Sequence, residues 1–166
     1  MKAMRFVLSV ALLLLAAPAF AQSDAEKSFE KLKSLAGTWE ATMDGKPLQV
    51  TLRVTSMGNT LMHEMKREGG PEDPVTMFYL NGNQLFLTHF CDAGNQPRMA
   101  GKALPDGKTF EFDFFDITNF SSTQIGHMQR AVFTMVDANH HIEDWTFAGQ
   151  DGKPSMQGHL DLHRVK

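Results

Sequence analysis

The chain has a single cysteine, Cys91, among 166 residues, so an internal disulfide is excluded and stability must come from burial. Charge of either sign is sparse. The formal net charge is −3 and the basic residues are scattered, with no run longer than Lys66-Arg67, which excludes the electrostatic footprint of a nucleic-acid binder or of a protein drawn to an anionic membrane surface. There is no Gly-x-Ser-x-Gly elbow, no Walker loop and no Gly-x-Gly-x-x-Gly, so the common hydrolase and nucleotide-binding signatures are missing. Cys-x-x-Cys and His-Glu-x-x-His are likewise missing, and with them the sequence support for structural zinc or a zinc protease. The methionines are dispersed, which argues against a copper cluster, and the adjacent His140 and His141 fall on opposite faces of a strand. Neither catalysis nor a metal is expected.

What is present begins with an N-terminal export signal. Lys2 and Arg5 precede an apolar run, Phe6 to Ala17, broken only by Ser9, and Pro18-Ala19-Phe20-Ala21 supplies small residues for cleavage. The run is shorter than the ~20 residues of a spanning helix. No transmembrane segment is expected, and a soluble periplasmic or secreted protein is. Cleavage after residue 21 of 166 leaves 145 residues, residues 22–166, the size of one domain, and loss of Lys2 and Arg5 takes the formal charge from −3 to −5.

From Asp24 to Leu35 the pattern is helical, with Phe29, Leu32 and Leu35 on one face. Ser23 or Asp24 suits its cap and Gly37 its stop. After Gly37 the period becomes two. Leu48, Val50, Leu52 and Val54 alternate with polar residues, as do Phe110, Phe112 and Phe114. Turn signals recur at Asp44-Gly45, Gly58-Asn59, Asn81-Gly82-Asn83, Asp106-Gly107, Asp137-Ala138-Asn139 and Asp151-Gly152. These features predict an all-β, antiparallel up-and-down barrel of about nine or ten strands with one short N-terminal helix at one end.

A helix leading to Gly37-Thr38-Trp39 resembles the opening of lipocalin-like barrels, the calycin group, and that resemblance implies a Trp closing the barrel floor. The segment from His89 through Cys91, Asn95, Gln96 and Arg98 to Met99 is similar to one in uncharacterised exported bacterial proteins of this kind. The opening is also similar to nitrobindin-like haem barrels, which implies haem held by a His near the C-terminus, here His159. Alternation in the last strand puts Met156, Leu160 and Leu162 on one face and His159 and His163 on the other, toward solvent unless a bulge shifts the register.

The expected function is non-catalytic binding of a small, largely apolar molecule inside the barrel, without a cofactor. Haem or metal binding and a filled structural core are the alternatives. Trp39, His63, Met65 and Trp145 are the expected wall. His89, the loop amides of Asn95 and Gln96 and the Arg98 guanidinium are the expected polar contacts at the mouth, and Cys91, two residues from His89 and pointing the same way, is close enough to share a ligand or a metal with it. Glu143 and Asp144 read as ordinary rim charges.

Overall fold

The computed structural model describes residues 22–69 and 74–165; the predicted signal segment lies outside them. Helix α1 (Asp24–Lys33) starts where Ser23 closes a capping box with Glu26, and its charges follow the helix dipole, Asp24 and Glu26 first, Lys31 and Lys33 last. It buries Phe29 and Leu32. The helix ends at Lys33, earlier than its apolar pattern predicts. Leu35 still reaches the core, and Gly37 opens the first strand instead of stopping the helix.

Ten strands follow: β1 (Gly37–Met43), β2 (Lys46–Thr55), β3 (Thr60–Arg67), β4 (Val75–Asn81), β5 (Gln84–Phe90), β6 (Gln96–Ala103), β7 (Thr109–Thr118), β8 (Gly126–Asp137), β9 (His140–Gly149) and β10 (Pro154–Arg164). Each pairs antiparallel with the next, and β1 closes on β10, giving the expected closed up-and-down barrel. The turns fall at the Asp/Asn/Gly positions. At Asp44-Gly45, for example, both residues have positive φ (52° and 74°), the hairpin geometry that glycine and aspartate tolerate best. Among the described residues no helix is long and apolar enough to cross a membrane.

One end of the barrel is shut. Helix α1 packs on β4, β5 and β6, and Lys33 Nζ donates to Gly58 O at 3.2 Å. Trp39 lies fully buried at this end, its Nε1 donating to Leu35 O at 2.8 Å. The Arg164 guanidinium lies 4.1 Å from the Trp39 ring centroid and donates to Ser34 O, Ala36 O and Ala138 O at 3.0, 2.7 and 3.0 Å. Above this floor the core is aromatic: Phe78, Phe112 and Phe133 meet edge to face with centroids 5.2 to 5.9 Å apart.

The ladder shifts register at four places, once in β6–β7, twice in β8–β9 and once in β9–β10. Phe114 is not part of the interior set with Phe110 and Phe112; it is 38% exposed and packs on His127. Pairing of β7 with β8 ends at Asp113, and the β6–β7 register shifts just beyond Phe114, so this residue sits where the ladder opens. The other apolar face of β5 has its own explanation, because outward Phe86 is covered by Tyr79 and Phe115.

Candidate functional site

The open end of the barrel holds a cavity of about 290 Å³. Its wall is largely apolar, with Met65, Met128, Phe147 and Leu160, and its polar positions are His63, Thr76, His89 and Cys91. Trp145 spans both halves, 5.3 Å from the His89 ring and 6.0 Å from that of His63. At the rim, Arg67 pairs with Asp92 at 3.3 Å. A larger groove of about 970 Å³ runs along the outer surface over β1, β2 and β3, but it is open and lies outside the barrel.

Below the cavity sits a buried anion. Glu143 on β9 is completely inaccessible, and three N–H groups converge on its carboxylate. His63 Nε2 on β3 donates to both oxygens (3.2 and 3.1 Å), His141 Nε2 to Oε1 (3.0 Å) and Trp145 Nε1 to Oε2 (3.0 Å). A carboxylate is an acceptor only, so both imidazoles carry their proton on Nε2. Their Nδ1 atoms are buried, and among the described residues neither has a hydrogen-bond partner. Burial pushes the Glu143 carboxyl up, but the charge of His63 and the N–H donors outweigh it and hold the group well below the ordinary range. Glu143 is therefore ionised.

His89 is the opposite case. Burial first, and then the charge of His63, lower its pKa from 6.5 to about 3, so the ring is neutral. Its Nδ1 is bonded to the Thr76 hydroxyl at 2.8 Å, and Nε2 remains accessible with no protein partner among the described residues. Cys91 is raised by burial, which keeps the thiol protonated and removes the nucleophile from any pairing with His89.

Five of the positions predicted from sequence thus meet at one cavity: His63, Met65, His89, Cys91 and Trp145. The others do not. Trp39 forms the floor at the shut end and takes no part in the cavity wall. Asn95 is fully buried and spends its amide on Gly126 O at 2.8 Å, tying the β5–β6 loop to β8. Gln96 already belongs to β6 and accepts from the Thr118 hydroxyl at 3.1 Å. Arg98, one residue before buried Met99, points outward and forms a two-pronged pair with Asp116. His159, the position carried over from haem barrels, lies outside on β10 and pairs with Asp144 at 2.6 Å, because the last strand keeps its alternation there.

Glu143, which reads in the sequence as a rim charge, is instead the buried base of the site. The signal for it was its face: His141, Glu143, Trp145 and Phe147 share one side of β9, and the last two are apolar.

The fold has solved counterparts. A protein of unknown function from the DUF3598 family of Nostoc punctiforme is similar with a TM-score of 0.54 and 13% identity, over 81% of this chain and 49% of that one. The chain therefore spans about half the length of the Nostoc protein. Rv2717c from M. tuberculosis is similar with a TM-score of 0.56 and 12% identity, over 84% of this chain and 98% of that one. At these identities the likeness is one of fold alone. No protein-family profile matches the chain, and no curated protein matches it.

Proposed function

We propose that this is an exported, lipocalin-like barrel that binds a small, largely apolar molecule with an uncharged polar head inside the open end. One observation carries the reading: an interior cavity of about 290 Å³ whose apolar wall presents a neutral histidine, His89, with no partner on its Nε2 among the described residues. The volume sits at the lower end of the ~300–1,000 Å³ usual for small-molecule sites. The buried Glu143 charge beneath the cavity repels an anionic head, and the rim guanidinium of Arg67 is already engaged by Asp92. Export is supported by the N-terminal sequence alone. Kinship with lipocalin-like barrels is supported by the Gly-Thr-Trp opening, together with Trp39 at the floor under Arg164.

The test is native mass spectrometry with an absorbance spectrum on protein purified from its own export compartment. It is followed by titration with the neutral fluorophore N-phenyl-1-naphthylamine. A bound organic mass without a Soret band, or saturable uptake of the fluorophore at one site, is the expected result. A Soret band would replace the reading by haem binding, with His89 the first position to mutate. Empty protein that also ignores the fluorophore would replace it by a structural module.

A further inference from the structure

A second group of side chains lies outside the barrel wall and apart from the cavity. His140 on β9 and His163 on β10 are direct partners in the antiparallel register, and Asp161 stands two residues before His163 on the same outward face. Both imidazoles turn their Nε2 to one oxygen, Asp161 Oδ1, at 2.6 Å from His140 and 3.3 Å from His163. The two rings stack with centroids 4.5 Å apart and planes 18° from parallel. One ligand atom from each of the three residues lies within 4.8 Å of the others.

An ion pair accounts for only half of this. One imidazole at 2.6 Å already satisfies the aspartate oxygen. A second ring stacked on the first and aimed at the same oxygen adds little to an ion pair, but it is what a chelate requires. We propose that His140, Asp161 and His163 form a binding site for a divalent transition-metal ion on the outer wall of the barrel.

The donor set defines the ion. Two imidazoles and one carboxylate suit Zn²⁺, Cu²⁺, Ni²⁺ and Co²⁺ and do not suit Mg²⁺ or Ca²⁺, which take oxygen ligands. Bonds of ~2.0–2.2 Å in a tetrahedral site put ligand atoms about 3.3 Å apart. The Asp161–His163 separation of 3.3 Å already has that value, and the 2.6 Å between His140 and Asp161 would lengthen as the ion enters. Three ligands leave further positions open. Asp161 and His163 border the outer groove of about 970 Å³, with Glu40 across the seam on β1 as its neighbour, so an open coordination position would be accessible to a small molecule. The ligands sit on two paired strands, so the scaffold is rigid.

The experiment is calorimetric titration of the full chain, untagged and stripped with chelator, with Zn²⁺, and with Co²⁺ followed by visible absorption. One ion per chain is expected, with a rise in melting temperature on Zn²⁺ addition. His140→Ala and His163→Ala are each expected to weaken binding by at least about tenfold and to abolish the thermal shift. His159→Ala, on the same face but paired with Asp144, should bind as the parent does. All three substitutions are on the surface, and unchanged melting without metal shows that the fold is kept. No uptake by the parent chain, uptake that survives both His140→Ala and His163→Ala, or uptake that is lost with His89→Ala instead would each overturn the proposal.

Discussion

Trp145 Nε1 donates to Glu143 Oε2 at 3.0 Å, from two residues along the same face of one strand. The indole thus faces the cavity with its ring and the buried anion with its N–H. Under the proposed function, a bound molecule would meet an indole already fixed from below by the buried anion.

Removing the base should therefore cost stability before it costs binding. Glu143→Ala leaves His63, His141 and Trp145 with buried donors and no acceptor, for which about 3–5 kcal/mol is expected. Glu143→Gln keeps one acceptor oxygen and should lose less. Urea unfolding at pH 7 measures both. A Glu143→Ala protein within about 1 kcal/mol of the parent would mean that the network is not formed as described.

Acid should destabilise the barrel in two stages. His89 has a folded value of about 3 against an ordinary 6.5, so between these limits the unfolded chain binds a proton that the folded chain does not. Stability then falls as pH drops, by up to about 1.4 kcal/mol per unit from this one group. Glu143, also depressed in the fold, acts with the same sign, but only below its ordinary value of 4.5. The slope between pH 6.5 and 4.5 thus belongs to His89 and not to Glu143. Replacing His89 with Gln should flatten that slope by about one proton; an unchanged slope in unfolding free energy against pH would show that His89 is not buried neutral.

The barrel was legible because its signals are local. Period-two alternation and Asp/Asn-Gly turns act over a few residues, and the strands they predict are the strands observed. Half of the site was legible for the same reason, since His63, Met65, His89 and Trp145 follow the apolar face of their own strands. Glu143 was not, because a charge is normally solvated and its main partner His63 lies 80 residues away on β3. Arg98 and Gln96 lie away from the cavity for a smaller reason. The Gly94-Asn95-Gln96-Pro97 stretch reads as loop, but pairing with β7 begins at Gln96, and strand alternation then turns Arg98 outward.

The floor should be separable from the site. Arg164 covers Trp39 and donates to three carbonyls that end the helix segment and the β8–β9 turn. Arg164→Ala is expected to cost about 2–4 kcal/mol from charged hydrogen bonds and the ring contact together. Arg164→Lys keeps the charge but loses the planar fork, and should recover less than half. Because the cavity is at the opposite end, uptake of N-phenyl-1-naphthylamine by the folded variants should match the parent. A loss of uptake at full folding would show that the two ends are coupled.

The sharpest test of an interior site uses a glycine that has room. At Gly126 an added Cβ would come within 1.9 Å of Ala148 O, and at Gly101 within 2.5 Å of the Phe112 ring, so neither position accepts a side chain without disruption. Gly158 differs. It lines the cavity, has no positive φ, and an added Cβ would meet nothing closer than Met43 Cε at 3.7 Å and Trp145 Cβ at 3.8 Å. Glycine also weakens a strand interior through backbone entropy, by roughly 0.5–1 kcal/mol relative to alanine. Gly158→Leu should then leave the melting temperature unchanged or raise it, while its side chain occupies the space beside Trp145. Fluorophore uptake is expected to weaken by about tenfold or more, the loss of roughly 1.4 kcal/mol of binding free energy; Gly158→Ala should fall between. If a stable Gly158→Leu barrel bound the probe as the parent does, the ligand would have to sit elsewhere, and the outer aromatic surface around Phe86 and Phe115 would become the place to look.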